Sequence, residues 1–237
     1  MAPQLSIIVP VFNEADNVLP MAREVTAAMQ QMELSYELVF VDDASIDATW
    51  ERILEARKAD ARVRGLRHAH NSGQSAAVWT GVRGTHSPLI ATLDGDLQND
   101  PADLPRMIAE LVRVDFVCGK RTKRKDNFVR RASSKIARTI RMRALKSDFE
   151  DTGCAIRVFK RSTVEDLMPF NGIHRFLPIL AHANGAKTLE VSVHHRQRVA
   201  GVSKYGVWNR VWRGIYDLIG VNWYLKRRLR SVEYEEL

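Results

Sequence analysis

Over its first 120 residues the chain alternates short β-branched apolar runs with amphipathic stretches, and each run ends in a polar cluster. Leu5-Ser-Ile-Ile-Val-Pro-Val-Phe12 reads as a first strand, and Tyr36 to Val41, Val63 to Arg67, Leu89 to Leu93 and Asp115 to Gly119 read as four more. Apolar residues near helical spacing predict a helix over Asn17 to Met32, a second behind an Asp47 cap with Trp50, Ile53 and Leu54 on one stripe, a third over Gln74 to Arg83, and a fourth from about Pro101 to Val112. Strands spaced by such helices build βαβ units on a mostly parallel sheet, and near-continuous apolar strands suit a sheet covered on both faces. The expected fold class is therefore α/β. Ligands of such sheets sit beyond the carboxyl ends of the strands. This chain puts Asn13-Glu14, Asp42-Asp43, Asn71-Ser-Gly73 and Asp94-Gly-Asp96 there, so the four clusters form one candidate site.

Beyond Gly119 the alternation weakens. Ala155 to Phe159 and Thr188 to His194 read as further strands, and Val207 to Leu229 as a final helix with Trp208, Val211, Trp212, Ile215, Leu218 and Ile219 on one stripe. There is no internal repeat and no low-complexity linker. The length of 237 residues suits one domain with an appendage, divided here as 1–206 and 207–237. Two cysteines, Cys118 and Cys154, are too few for a disulfide scaffold and point to a reducing compartment. The first residues lack the pattern of a signal peptide, and no stretch approaches the ~20 apolar residues of a membrane span.

Charge is unevenly placed. Of the net +8, Lys120 to Lys146 contributes +11 and Trp208 to Arg230 contributes +5, which leaves the body of the chain at −8. Localised positive charge points to a polyanion: nucleic acid, phosphates or an anionic membrane. A solvated helix face is the plainer reading of either segment. The basic segment is expected to be partly helical, with Ile136, Ile140 and Leu145 facing inward.

Asp94-Gly95-Asp96 closes an apolar strand. Read as extended chain, it turns both carboxylates, with Gln98 beyond, to one side. Hard oxygen ligands with open positions suit Mg²⁺ or Mn²⁺ completed by substrate phosphates, and such an ion neutralises a departing nucleoside diphosphate. The rival α/β classes each lack a required part. Pro10-Val-Phe-Asn-Glu14 has no glycine where a dinucleotide-binding loop needs three, and the chain has no P-loop. A nucleic-acid-binding module built on the +11 segment leaves the acidic loops unexplained. A nucleotidyltransferase wants a Gly-rich basic loop that is missing after the first strand.

Pro10-Val-Phe-Asn-Glu14, Val41-Asp-Asp-Ala-Ser-Ile-Asp47, Asn71-Ser-Gly73 and Asp94-Gly-Asp-Leu-Gln98 together resemble inverting family 2 glycosyltransferases of GT-A fold, and more closely the dolichyl- or polyprenyl-phosphate sugar synthases. Gly119-Lys-Arg121, Arg130-Arg131 with Ser134, Asp151-Thr-Gly153 with Ile156-Arg157, and Arg198 to Tyr205 extend the likeness. It runs from about Leu5 to Tyr205, and the order and spacing of the pieces give it its weight. Phe12, Ala44 and Cys154-Ala155 depart from the family's usual Tyr, Gly and Gly.

The resemblance implies sugar transfer from a UDP- or GDP-linked donor to a polyprenyl phosphate, in the manner of a dolichyl-phosphate mannosyltransferase, with another cell-envelope glycan or lipid acceptor as the alternative. Pro10, Phe12 and Glu14 would line the nucleoside pocket, and Asp42 or Asp43 would bind the base. Asp94, Asp96 and Gln98 would hold Mg²⁺ or Mn²⁺, and a loop with Arg198 and Lys204 would close over the donor phosphates. Arg121, Arg130 and Arg131 would grip the acceptor phosphate, which guanidinium matches bidentately. Asp151 would orient the acceptor or act as base, with a turn cap as the equal alternative. The tail, apolar on one side and basic at its ends, describes an interfacial helix on an anionic membrane. Packing on the catalytic domain, on a membrane-protein subunit or on a second copy is its alternative. The expected location is cytoplasmic, on the inner membrane face, with no nucleic-acid partner. His194-His195, pointing to opposite faces of a strand, is a poor chelator and is read as structural.

Overall fold

The computed structural model describes residues 2–30, 32–121, 139, 141–145, 147–196 and 207–228, with side chains from 214 onward in the last range. Seven strands form one sheet: β1 (Leu5–Val11), β2 (Tyr36–Asp42), β3 (Val63–Arg67), β4 (Leu89–Thr92), β5 (Phe116–Arg121), β6 (Arg157–Lys160) and β7 (Thr188–Val193), in the order β3-β2-β1-β4-β6-β5-β7. The helices are α1 (Ala15–Met29), α2 (Thr49–Ala59), α3 (Gln74–Arg83), α4 (Leu104–Glu110), α5 (Leu177–Ala183) and α6 (Val207–Arg227). The α/β expectation is met, and the sheet is parallel except at β6, which runs against both β4 and β5.

Both faces of the sheet are buried because successive residues of each strand point to opposite sides. Ile7 and Val9 of β1 join α1, α2 and α4 in one apolar layer. Ile8, between them, joins Ala77 and Val78 of α3, Leu177 and Leu180 of α5 and Val221 of α6 in the other. Each fully buried aliphatic side chain contributes about 1.5–3 kcal/mol. Small residues of α3 (Ser75, Ala77, Gly81) let that helix lie close on β1.

Several boundaries differ from the sequence reading. Asp47 acts one residue before the cap of α2: its Oδ1 accepts the Thr49 N–H at 3.0 Å, and Oδ2 lies 3.4 Å from the Ala15 N–H at the start of α1. The expected helix from Pro101 begins as a 3₁₀ turn, Pro101–Asp103, with Asp100 accepting the Ala102 N–H, and continues as the short α4. Leu145 is buried as expected, whereas Ile136 and Ile140 lie outside the described residues. The final helix does not carry one apolar stripe. Leu218, Val221, Tyr224 and Leu225 pack against the core, while Ile215, Tyr216, Ile219 and Trp223 face outward.

Candidate active site

The carboxyl ends of β1, β2, β4 and β5 lie at one edge of the sheet, and the antiparallel β6 starts at that edge. The chain winds one way from β1 through β2 to β3 and places β4 on the other side, so the β1/β4 boundary is the topological switch point where such sheets bind ligands. Pro10 and Asp94 flank it.

On the β2 side the loops are tied together. The Asn13 N–H donates to Ser45 Oγ (2.9 Å), the Ile46 N–H to Asn13 Oδ1 (2.9 Å) and the Glu14 N–H to Thr49 Oγ1 (2.8 Å). Phe12 and Glu14 are half-buried in this lacing. Asn13 and Ala44 adopt left-handed backbone (φ 53° and 61°). For Ala44 that conformation costs about 1–2 kcal/mol. Asp42 is fully buried; the Ser45 N–H donates to its Oδ1 (2.9 Å), and Arg67 Nε lies 3.1 Å from its Oδ2. Asp43 accepts the Ser72 and Gly73 N–H groups (2.8 and 2.7 Å) and has His68 Nδ1 at 2.7 Å. Asp43 thus clamps the Asn71–Gly73 loop to the end of β2, and of the pair assigned to the base its oxygens are the more fully engaged.

On the β4 side, Asp94-Gly95-Asp96 is a turn rather than the extended segment read from sequence. It presses on β1: a Cβ on Gly95 would stand 2.7 Å from Val11 Cγ1, so glycine is required for the approach. Leu97 then takes φ 59°. Asp94 Oδ1 accepts Gln74 Nε2 (2.6 Å), and Asp96, nearly buried, accepts the Gln98 N–H (3.1 Å). The Gln98 side chain reaches toward Arg196 O (3.5 Å). Among the described residues no three acidic, His or Cys side chains gather round one point. The donor set of Asp94 and Asp96 fits a hard divalent ion that takes its other oxygens from phosphate and water.

Across the site, the Arg121 fork meets Asp151 bidentately (Nε–Oδ2 and Nη2–Oδ1, both 2.7 Å). Burial is the largest single influence and works against the Arg121 charge, but the Asp151 hydrogen bond and the negative groups around it together outweigh it and the pKa rises. Arg130, Arg131, Arg198 and Lys204 lie outside the described residues. His194 donates its N–H to Asp103 Oδ2 (2.7 Å) with Nδ1 3.0 Å from Oδ1, a structural use. Both cysteines are free and buried; desolvation pushes Cys154 up to about 11 and Cys118 higher still, which makes them inert.

A cavity of about 150 Å³ opens at this edge, lined by Pro10, Gln74, Asp94, Arg157, His174 and Arg175 among others. The sequence reading gave no role to Gln74, Arg157, His174 or Arg175. A charged residue beside the apolar Ile156 and Val158-Phe159 was a visible signal for Arg157; His174 lies 80 residues from Asp94 in a stretch with no motif.

An α/β sheet with its acidic turn at the switch point, laced β1 and β2 loops and basic groups opposite defines a GT-A glycosyltransferase. The chain belongs to glycosyl transferase family 2, whose model matches residues 6–168. It is 37% identical to the dodecaprenyl-phosphate galacturonate synthase of Rhizobium johnstonii, over 96% of this chain and 69% of the relative. It is 32% identical to the undecaprenyl-phosphate 4-deoxy-4-formamido-L-arabinose transferase of Salmonella paratyphi A, over 91% and 66%. The chain thus spans about two thirds of the length of these relatives. Among solved structures it is similar to the glucosyl-3-phosphoglycerate synthase of Mycobacterium tuberculosis with Mn²⁺, UDP and phosphoglyceric acid (TM-score 0.71, 15% identity, 97% of this chain and 80% of that one). It is also similar to a mannosyltransferase of Pyrobaculum calidifontis with GDP-Man and Mn²⁺ (TM-score 0.60, 17% identity, 96% and 71%). At these identities the structural likeness establishes the fold.

Proposed function

We propose that this domain transfers a sugar from a nucleotide-sugar donor to a polyprenyl phosphate, with inversion at the anomeric carbon. The observation that carries the reading is the Asp94-Gly95-Asp96 turn at the β1/β4 switch point, with Arg121 at the end of β5 on the far side. The names of the two relatives supply the acceptor class and suggest a modified sugar, a uronate or an amino-sugar derivative.

The division of labour follows the strand order. The β1 and β2 loops, with Pro10, Phe12, Glu14 and Asp42, hold the nucleoside. Asp94 and Asp96, with Gln98 behind them, hold Mg²⁺ or Mn²⁺ at the diphosphate. That ion supplies charge neutralisation of the leaving group. An acceptor phosphate oxygen is already anionic near neutral pH. It attacks the anomeric carbon as the bond to the donor β-phosphate breaks, and the electron pair leaves with the nucleoside diphosphate. Little general-base help is needed, so positioning and charge stabilisation carry the rate. Arg121 meets the acceptor phosphate, and Asp151 orients Arg121. The outward side of α6 contacts the membrane and brings the site to a lipid substrate; among the described residues no helix is long and apolar enough to cross a membrane.

The test incubates purified protein with Mn²⁺, undecaprenyl phosphate and a panel of labelled nucleotide sugars, and follows label into the organic phase. One donor should be consumed, and Asp96→Ala should abolish transfer with an unchanged circular dichroism spectrum. Unchanged turnover in that variant overturns the reading.

A further inference from the structure

The cavity beside Asp94 has Asp94 on one side and a cationic wall of Arg157 and Arg175 with His174. Arg157 opens β6 in the middle of the sheet, paired with Thr92 on β4 and Cys118 on β5, and is only 4% exposed. Its Nη2 donates to Thr152 O (2.9 Å), while its buried Nε has no partner among the described residues. A buried guanidinium is costly unless an anion meets it, and burial depresses the pKa of this one. Arg175, on the same lining, gives Nη2 to Asp217 (3.1 Å), and its buried Nε is likewise without a partner.

His174 adds a neutral donor. The Gly172 N–H donates to Ser75 Oγ (2.8 Å), and His174 Nδ1 lies 2.6 Å from the same oxygen. Burial, with Arg157 and Arg175 nearby, brings the ring down to about 3, so it stays neutral.

The position of this wall selects the ligand group that meets it. In strand order the nucleoside side lies at β2 and β1, the acidic turn follows β4, and Arg121 ends β5. Arg157 stands on β6 between β4 and β5, so on the transferase reading it lies between the groups assigned to the donor diphosphate and to the acceptor phosphate. The part of the substrate at that place is the sugar itself. A volume of about 150 Å³ is well below what a whole nucleotide-sized ligand occupies.

We infer that the cavity lined by Arg157, His174 and Arg175 binds a carboxylate carried by the transferred sugar, so that the donors are nucleotide uronates. The inference rests on the transferase reading above and names its substrate class. Two guanidinium groups and a neutral imidazole lining one small cavity suit the planar acceptor pattern of a carboxylate. A neutral hexose leaves these buried donors without an anion, which is the situation in which sites reject an analogue strongly.

The test compares matched donors, UDP-galacturonate with UDP-galactose, UDP-glucuronate with UDP-glucose and GDP-mannuronate with GDP-mannose, on the full chain with Mn²⁺ and undecaprenyl phosphate. One uronate should exceed its neutral partner on the order of 10²-fold in kcat/KM. His174→Gln and Arg157→Gln should each shrink that preference at least tenfold through loss of the uronate, with affinity for the free nucleoside diphosphate unchanged by calorimetry. If Arg157→Gln fails to fold, His174→Gln and Arg175→Gln carry the same test. A neutral hexose used as well as its uronate overturns the inference and leaves the transferase reading standing. Variants that weaken UDP or GDP alone as much as every donor also overturn it, by assigning the wall to the diphosphate. Absence of turnover and of nucleotide binding across all pairs removes the transferase reading itself.

Discussion

Arg121 and Asp151 close a three-point contact across thirty residues of chain. Asp151 Oδ2 accepts the Arg121 backbone N–H (3.2 Å) as well as its Nε–H, and Oδ1 accepts Nη2–H. The Glu190 carboxylate in turn accepts the Glu150 and Asp151 N–H groups (2.8 and 3.0 Å), which fixes Asp151 to β7. The stretch between them holds most of the basic segment, so its two ends are anchored at the carboxyl edge of the sheet. The pair is mostly buried, and Asp151 sets where the Arg121 fork points.

Asp151→Asn keeps the shape but removes the charge that holds the fork. The acceptor term should suffer first: kcat/KM for polyprenyl phosphate is expected to fall about 10–100-fold, about 1.4–2.8 kcal/mol of lost transition-state stabilisation. Nucleotide affinity should not change. Steady-state kinetics at saturating donor, with calorimetry of the nucleoside diphosphate, check this; equal losses on both sides would mean that the pair only supports the fold.

A divalent ion at Asp94 and Asp96 should be catalytic without being structural. Among the described residues no three-ligand cluster exists for it to brace, and both aspartates already have protein partners. Chelation is expected to bring transfer to background, and Mn²⁺ or Mg²⁺ to restore it. The melting temperature of the nucleotide-free protein should change little, because apo-site carboxylates lose only mutual repulsion when an ion is bound weakly. Calorimetry with and without chelator decides this.

Much of the fold was legible because its signals are local. Apolar runs closed by polar residues gave β1 and β2 to within a residue, and the weaker Val63 to Arg67 run gave β3. The polar clusters were recognisable as one site because a parallel sheet brings all carboxyl ends to one edge. The insertion of β6 between β4 and β5 was not legible: an antiparallel strand has the same apolar pattern as a parallel one, and its neighbours are set by long-range pairing. His174 and Arg175 were missed for the same reason, since they are held at the site by Ser75 of α3 and Asp217 of α6, each distant in sequence. The α6 stripe was misjudged because the helix is apolar on two sides, and only the packing shows which side the core takes.

The burial of His174 beside Arg157 and Arg175 has a consequence for stability. The folded state holds His174 near 3, while the unfolded chain lets it titrate at its ordinary 6.5. Below pH 6.5 the unfolded state therefore binds a proton that the folded state refuses. Stability is fully present above that pH and falls as pH drops toward 3, by about 1.4 kcal/mol per unit from this group. Urea unfolding of wild type and His174→Gln at pH 7.5 and 5 isolates the effect from the other six histidines. The variant should lose about 2 kcal/mol less over that interval, and parallel pH profiles would exclude a buried neutral imidazole.

The outward side of α6 is the last feature that demands a partner. Ile219 and Trp223 are 64% and 65% exposed, one helical turn apart, with Ile215 a turn before and Tyr216 beside them. Lys226 and Arg227 follow in the last turn. The opposite side is held down by Val221 in the core and by Asp217, which pairs with Arg175 and sits so close over Gly172 (φ 107°) that a Cβ there would stand 2.8 Å from its Oδ2. The exposed stripe is therefore presented at a fixed orientation rather than free to fold inward. An apolar stripe ending in basic residues matches the boundary of an anionic bilayer, where each large apolar side chain contributes about 1.5–3 kcal/mol. The double variant Ile219→Glu, Trp223→Glu should lower sedimentation with phosphatidylglycerol vesicles by about 10²-fold or more in partition constant. It should leave the circular dichroism spectrum and nucleotide binding intact, because neither side chain touches the core. Vesicle binding that survives the double variant would assign the stripe to a protein partner instead.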